Sequence, residues 1–396
     1  MSILIGYDIN GKTLQLDFWS KELANRHFLI TGMSGQGKTY ATQHLLNEIT
    51  MSGFTALVFD CDKAFSDSQL NPVFCKTVEE RIECIDLRKS KAPINPFRLY
   101  NRDRDDEMES EVEAADRIAS LLAQVMKLGE QQRQILYEIF RLFFIAQSNI
   151  REHMSGKDSI RLTENERITI GMLTKQIKSH ENPLSILRNQ LSVVEKGTRG
   201  NIKSSVLSKL VTFIDMMPFS ENTFDWGDYI YNHGKITIMQ FGGYSKDMSR
   251  LMLEFILWDL WDYTTRKGSA HKPFVTVFDE CQYLNYSSSS PASRILRQGR
   301  KFGYSSWFIT QFIHGAFEAD VVGLLEQAAT KLFFRPHDKD IENVAKSIDP
   351  SNPKQWIPYV ESLRKGQCIA KGCFVKQSNP SRSADYPPII LDIPQL

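Results

Sequence analysis

The sequence has no long hydrophobic run. Its most apolar window, LMLEFILWDLWDY from Leu251 to Tyr263, is too short and too acidic to span a bilayer and reads as a buried helix. The first residues, MSILIGYDINGKTLQLDF, lack the basic and apolar stretches of a secretory leader, so a cytoplasmic chain with no membrane partner is expected. Charge of one sign is missing too: 48 Lys and Arg stand against 47 Asp and Glu, for a net charge of +1. That excludes a global basic field, so any hold on nucleic acid has to come from a local patch or a ring of subunits. The six cysteines make no C-x-x-C pair and no Cys/His metal spacing, which excludes a zinc module and suggests reduced thiols. Cys368 and Cys373 fall where a closing hairpin would make them neighbours. Internal repeats are absent, and the only low-complexity patch is SSSS at Ser287 to Ser290.

What remains is ordinary globular composition with one specific stretch. The chain has 396 residues, 42% hydrophobic and 24% charged, room for two or three domains or one core with a large insertion. Gly32-Met33-Ser34-Gly35-Gln36-Gly37-Lys38-Thr39 fits G-x-x-x-x-G-K-[ST], the phosphate-cradling P-loop. Glycines reach backbone conformations that a Cβ forbids, so their N–H groups can turn inward around phosphate oxygens. The helix that follows adds the positive end of its dipole. The context fits, with a strand HFLIT before the loop and a helix YATQHLLNEI after it. Gly32, Ser34, Gly35, Gln36, Gly37, Lys38, Thr39 and Tyr40 are therefore the candidate nucleotide-binding residues. Lys38 would reach the β- and γ-phosphates and Thr39 would ligate Mg²⁺, so ATP and Mg²⁺ are the expected cofactors.

The rest of the pattern is α/β. Asn10-Gly11 marks a hairpin between two alternating segments, FTALVFD is a buried strand and ECIDLR a third candidate. Between about Asp105 and Phe219 the period changes to three and four, predicting a helical block. Its acidic start, from Asp103 to Glu113, reads as a solvated helix terminus favoured by the dipole. Strands resume at GKITIMQF, PFVTVFDE, SWFITQ and TKLFFR, and GQCIAKG with CFVK reads as a closing hairpin. Strands alternating with helices predict a parallel sheet flanked by helices. The division expected is residues 1–100 for a hairpin and the first part of the core, 101–222 for the helical insertion and 223–396 for the rest of the core.

A second constellation sits at the end of PFVTVFDE. Buried strands of a parallel sheet deliver their last residues to the ligand-binding edge. Asp279 would hold Mg²⁺ there, and Glu280 would take a proton from the attacking water. Next, Arg294, Arg297 and Arg300 recur every three residues, one side of a helix expected from about Ala292 to Phe302 with Gly299 inside it. Gln311, at the tip of the following strand, could hydrogen-bond the γ-phosphate. The arginines could stabilise transition-state charge, grip DNA phosphates or simply face solvent.

Together, GMSGQGKT, INPF, GKITIMQF, VFDECQYL and GRKFG followed by TQ resemble the HerA/FtsK superfamily of P-loop ATPases, nearest the HerA branch, with conjugative coupling ATPases as relatives. The resemblance runs from about Ile3 to Lys376. It implies a RecA-like core with an all-helical insertion, a hexameric ring, and translocation of double-stranded DNA through a central pore. It also implies roles: Lys38 and Thr39 in the P-loop, Asp279 and Glu280 as the Walker B acids, Gln311 as sensor, and Arg300 as the best candidate for an arginine finger serving a neighbouring subunit. Arg297 and Arg335 are the alternatives to it. Members of this branch often begin with a β-barrel that docks a nuclease, whereas about 25 residues precede the P-loop strand here. A finer likeness is to ATPases of bacterial anti-phage and restriction systems.

The expected function is thus a ring-forming DNA motor working with a nuclease or other effector. Lys196, Arg199, Lys203, Arg294 and Arg297 are candidates for lining its pore. The alternative is a nucleotide-gated scaffold that binds an effector and hydrolyses ATP slowly, since both need the same site.

Overall fold

The computed structural model describes residues 2–102, 107–151, 162–220, 225–376 and 379–394. The chain divides into two compact units. The first comprises Met1–Ser90, Asp225–Tyr244 and Lys267–Leu396, and the second Lys91–Phe224 and Ser245–Arg266.

Unit 1 is built on an 11-stranded sheet. Its strands are β1 (Ser2–Asp8), β2 (Thr13–Asp17), β3 (Phe28–Thr31), β4 (Ala56–Asp60) and β5 (Ile82–Asp86), then, after a two-residue ribbon β6 (Asn101–Arg102) and β7 (Glu107–Met108) in unit 2, β8 (Ile236–Gln240), β9 (Phe274–Asp279), β10 (Tyr304–Thr310), β11 (Thr330–Phe334), β12 (Gln367–Lys376) and β13 (Asn379–Asp392). The sheet order is β2-β1-β13-β12-β11-β3-β10-β9-β4-β8-β5. From β11 to β5 all neighbours are parallel. The strands β12, β13, β1 and β2 extend the sheet antiparallel. Strands β3, β4, β9 and β10 are buried at every position, as expected of parallel strands covered on both faces. The helix after the P-loop, α1 (Lys38–Met51), packs Ala41, Leu45, Leu46 and Ile49 into the same core as Ile30, Val58, Val277 and Ile309.

The carboxyl-terminal region differs from the expected closing hairpin. Residues Gln367–Lys376 form one strand, paired antiparallel with β11 on one side and β13 on the other. Cys368 and Cys373 therefore lie on the same strand, opposite Leu391 and Asp385; all six cysteines are free. The register shifts between Ala370 and Gly372, so Gly372 marks a bulge rather than a turn. A Cβ at Gly372 would come within 2.9 Å of the Ala329 carbonyl oxygen. Sequence pattern missed β13 because NPSRSADYPP is rich in loop formers. Pro387 and Pro388 fall in the register shift, where no ladder N–H is needed.

The helical block lies in unit 2: α3 (Glu111–Val125), α4 (Glu130–Arg151), α5 (Glu164–Lys178), α6 (Pro183–Ser192) and α7 (Thr198–Met216), following α2 (Pro72–Val78) of unit 1. After α8 (Gly227–Ile230) of unit 1 comes α9 (Lys246–Lys267), whose residues up to Arg266 belong to unit 2. The sequence division had placed these residues with the resumed core. Phe255 of α9 stacks on Phe213 and meets Phe97 and Phe219 within about 6 Å. Asp259 of α9 accepts from Arg98 at 2.7 Å. Apolar burial plus a paired, buried carboxylate holds α9 to its unit.

Of the acidic run, residues 103–106 lie outside the described residues. Ser110 caps α3 in a capping box with Glu113. Glu109, half-buried, instead forms a bidentate pair with buried Arg117 at 2.9 Å, so that part of the run is structural rather than solvated.

Candidate nucleotide and catalytic site

The P-loop joins β3 to α1. Gly32 (φ 149°) stands where a Cβ would meet the Phe334 Cβ at 2.5 Å, so a side chain would push the loop off β11. Gly37 (φ 107°) is the N-cap of α1, and a Cβ there would press on the Gly366 backbone at 3.3 Å. Two downstream segments brace the loop: the Met33 N–H donates to the Arg335 carbonyl at 2.8 Å, and the Gly366 N–H donates to the Gln36 carbonyl at 3.0 Å. Ser34 and Gly35 are exposed, Gln36 and Thr39 half-buried, and Tyr40 packs against the core of the sheet. Lys38 is buried, its ammonium donating to the carbonyls of Gly32 (2.6 Å) and Met33 (3.2 Å). Burial lowers its pKa, opposed by the charges of Glu280 and Asp279.

Acidic groups gather at the same edge. In the parallel β4–β9 pair, Asp60 and Asp279 are direct partners. Asp279 is 5% exposed, and burial, then the charges of Asp60, Glu280 and Asp62, hold its carboxyl well above the usual range. Burial likewise pushes Asp60 up to about 6, although it accepts from the Ala64 and Phe65 N–H groups at 2.9 and 3.1 Å. Asp62 accepts from the Tyr283 hydroxyl at 3.0 Å. Sequence reasoning missed Asp60 and Asp62, yet FDCD ends β4 as FDE ends β9, and the same strand-end logic finds both.

Glu280 has φ 57° and ψ 63°, a left-handed conformation unusual outside glycine. Its carboxylate accepts from the Gln311 amide at 2.7 Å and from the Gln282 amide at 2.5 Å. Gln311 arrives because β10 lies between β3 and β9, which sets its tip between the P-loop and the acids.

Arg300 is not brought to this site. The helix α10 (Pro291–Gln298) stops before Gly299, and Arg300 lies in a 3-10 turn, Gly299–Phe302. Gly299 caps the helix against Tyr304, whose Cβ lies 3.0 Å from where a Cβ would sit. Arg300 precedes β10 while Gln311 follows it, so the two flank opposite ends of a seven-residue strand, roughly 20 Å apart. The Arg300 guanidinium donates to the Ala24 carbonyl at 2.5 Å. Arg297 is exposed. Arg335, by its backbone, is next to the P-loop; its guanidinium lies 3.9 Å from Asp338. In unit 2, Arg199 pairs with Glu138 and Glu195, and buried Lys203 with Glu195 at 2.5 Å, so neither is a ready phosphate contact.

The residues present fit a Mg²⁺-nucleotide. Crowded acids opposite one buried lysine carry negative charge that a divalent cation would offset. Among the described residues no three His, Cys, Asp or Glu side chains form a ready-made metal cage. A nucleotide-bound Mg²⁺ asks of the protein only a carboxylate, here Asp279, and a hydroxyl, here Thr39, beside phosphate oxygens and water.

Known proteins share the chain's fold and family pattern. Residues 3–260 match the profile of a family described as "Helicase HerA, central domain". The chain is similar to "Probable helicase MJ1565" of Methanocaldococcus jannaschii, with 19% identity over 94% of this chain and 65% of that protein. It is similar also to the DNA double-strand break repair helicase HerA of Saccharolobus solfataricus, 24% identical over 92% of this chain and 65% of that one. The chain thus spans just under two thirds of the length of these relatives. Among solved structures it resembles VirB4 of Thermoanaerobacter pseudethanolicus (TM-score 0.65, 14% identity, 100% of this chain and 96% of that one). It also resembles the plasmid coupling protein TrwB in complex with ADP and Mg²⁺ (TM-score 0.51, 14% identity, 93% and 86%). At such identities these two show a shared fold. That fold is a mostly parallel sheet flanked by helices, as the sequence predicts.

Proposed function

Because the chain belongs to the HerA helicase central-domain family, we propose that it is an ATP-hydrolysing motor that moves or remodels double-stranded DNA as a hexameric ring. The observation that carries this reading is the convergence of Lys38, Asp279, Glu280 and Gln311 on one sheet edge, with Glu280 held by the Gln311 amide. Backbone N–H groups from Gly32 to Thr39 bind the phosphates, and Lys38 exchanges its loop carbonyls for phosphate oxygens. Thr39 and Asp279 hold Mg²⁺, which when bound offsets phosphate charge. Glu280 takes the proton of the attacking water. Gln311 shifts with γ-phosphate loss, coupling the site to β10. Arg300, at the opposite edge of its own sheet, serves a neighbour's site. The name of the Saccharolobus relative, a DNA double-strand break repair helicase, supports duplex DNA as the track. A nuclease or other effector in a DNA-processing or defence system is the partner this reading proposes.

The test is native mass and ATPase rate with and without duplex DNA. A six-fold assembly with ATP, DNA-stimulated turnover and salt-sensitive, sequence-independent binding are expected, because Lys and Arg contacts to phosphate release counterions. Turnover indifferent to DNA, with no duplex binding at low salt, would sink the motor and leave a nucleotide-gated scaffold.

A further inference from the structure

The two amides on Glu280 come from different elements and are anchored differently. A carboxylate only accepts hydrogen bonds, so each glutamine must turn its NH₂ toward it. For Gln282 this leaves the amide oxygen facing the Thr310 hydroxyl at 3.2 Å, whose proton it shares with the Phe312 carbonyl at 2.9 Å. Gln282 sits in the 3-10 turn Cys281–Tyr283 directly after Glu280. Cys281 is fully buried, and its carbonyl accepts from the Tyr286 hydroxyl at 3.0 Å. Tyr283 is fastened to Asp62 at 3.0 Å. The turn that carries Gln282 is thus pinned on both sides. Gln311 follows β10, at the tip facing the P-loop, where an incoming γ-phosphate competes for its NH₂.

We propose that Gln282 is a positioning residue for hydrolysis: its amide keeps one oxygen of Glu280 fixed while Gln311 turns to the γ-phosphate and frees the other oxygen for water. This rests on the ATPase reading above. In the step, the water oxygen bonds to the γ-phosphorus and the bond to the β,γ-bridging oxygen breaks. The water proton goes to the freed Glu280 oxygen, and ADP and inorganic phosphate leave. Gln282 touches none of the reacting atoms. It stops the carboxylate from rotating when its second donor departs, so that the left-handed backbone at Glu280 and one amide together fix the base.

The experiment is steady-state ATPase on the full chain, wild type against Gln282→Met, which keeps length and volume and removes the donor. Expected is a kcat loss on the order of 10- to 100-fold, the scale of a misplaced catalytic group. KM and binding of a non-hydrolysable ATP analogue stay unchanged, because the P-loop makes those contacts. A merely structural role would weaken binding together with turnover, and that result overturns the proposal, as does an unchanged or raised kcat. Should Gln282→Met fail to fold, Gln282→Ala removes the donor without adding bulk or charge and should show the same split; wild-type kcat there overturns it equally. Wild-type protein that turns over no ATP would sink the functional reading itself. Active wild type with an equally active Gln282→Met sinks only this inference.

Discussion

At the scale of single residues, the site separates binding from chemistry. Lys38 sits among loop carbonyls that phosphate oxygens would replace. Glu280 lies on the far side of Gln311, held by amides and without a ground-state phosphate to neutralise. Lys38→Ala should therefore weaken ATP binding, whereas Glu280→Gln should bind ATP nearly as wild type and turn over very slowly. Equal loss of nucleotide affinity in both variants would refute the division of roles, and near-wild-type turnover in Glu280→Gln would remove it as the base.

At the scale of elements, the decisive placement is β10 between β3 and β9. His27, just before β3, fastens that placement from inside. It is 1% exposed, and its Nδ1 accepts from the Ser306 N–H of β10 at 3.0 Å. The proton of the neutral ring is therefore on Nε2. Burial pushes its pKa down to about 4. The unfolded chain takes up a proton below its ordinary value of about 6.5, while the folded chain resists it until about 4. Its contribution is complete above that ordinary value and is lost as pH falls through this window, at most about 3 kcal/mol. Denaturant midpoints between neutral pH and pH 4 should fall for wild type and fall less steeply for His27→Asn. Parallel slopes would show that another group sets the acid limit.

At the scale of the molecule, Arg300 stands at the wrong edge to complete its own site. A guanidinium supplied in trans makes hydrolysis depend on assembly and is worth on the order of 10³- to 10⁵-fold in P-loop enzymes. Arg300→Ala should assemble and bind ATP, yet hydrolyse it very slowly. Mixed with Glu280→Gln, each inactive alone, it should regain partial turnover where an intact Glu280 meets an intact Arg300. Co-assembly by native mass with turnover still at zero would count against independent trans sites. Normal turnover in Arg300→Ala alone would discard this arginine and direct attention to Arg297 or Arg335.

The sequence by itself determined whatever depends on local backbone chemistry. Gly32, Gly37 and Lys38 announce a phosphate loop because few other patterns need those conformations beside a lysine. The buried strands β3, β4, β8, β9 and β10 were legible because short runs rich in apolar and β-branched residues mark them, and the helical block because its period changes. Tertiary structure decided what depends on partners distant in sequence. Strand order set Asp60 beside Asp279 and Gln311 beside Glu280, and no spacing encodes which strand lies next to which. β13 became a strand because β12 and β1 supply its hydrogen bonds on both sides, although its prolines and serines read as loop. The regular Arg294–Arg297–Arg300 spacing suggested one helical face, but the backbone leaves helical geometry at Gln298 (φ −142°) and Arg300 falls in the 3-10 turn that follows. Gln282 reads as an ordinary polar residue in sequence; only the fold turns its amide onto Glu280, because a carboxylate brought there must find donors.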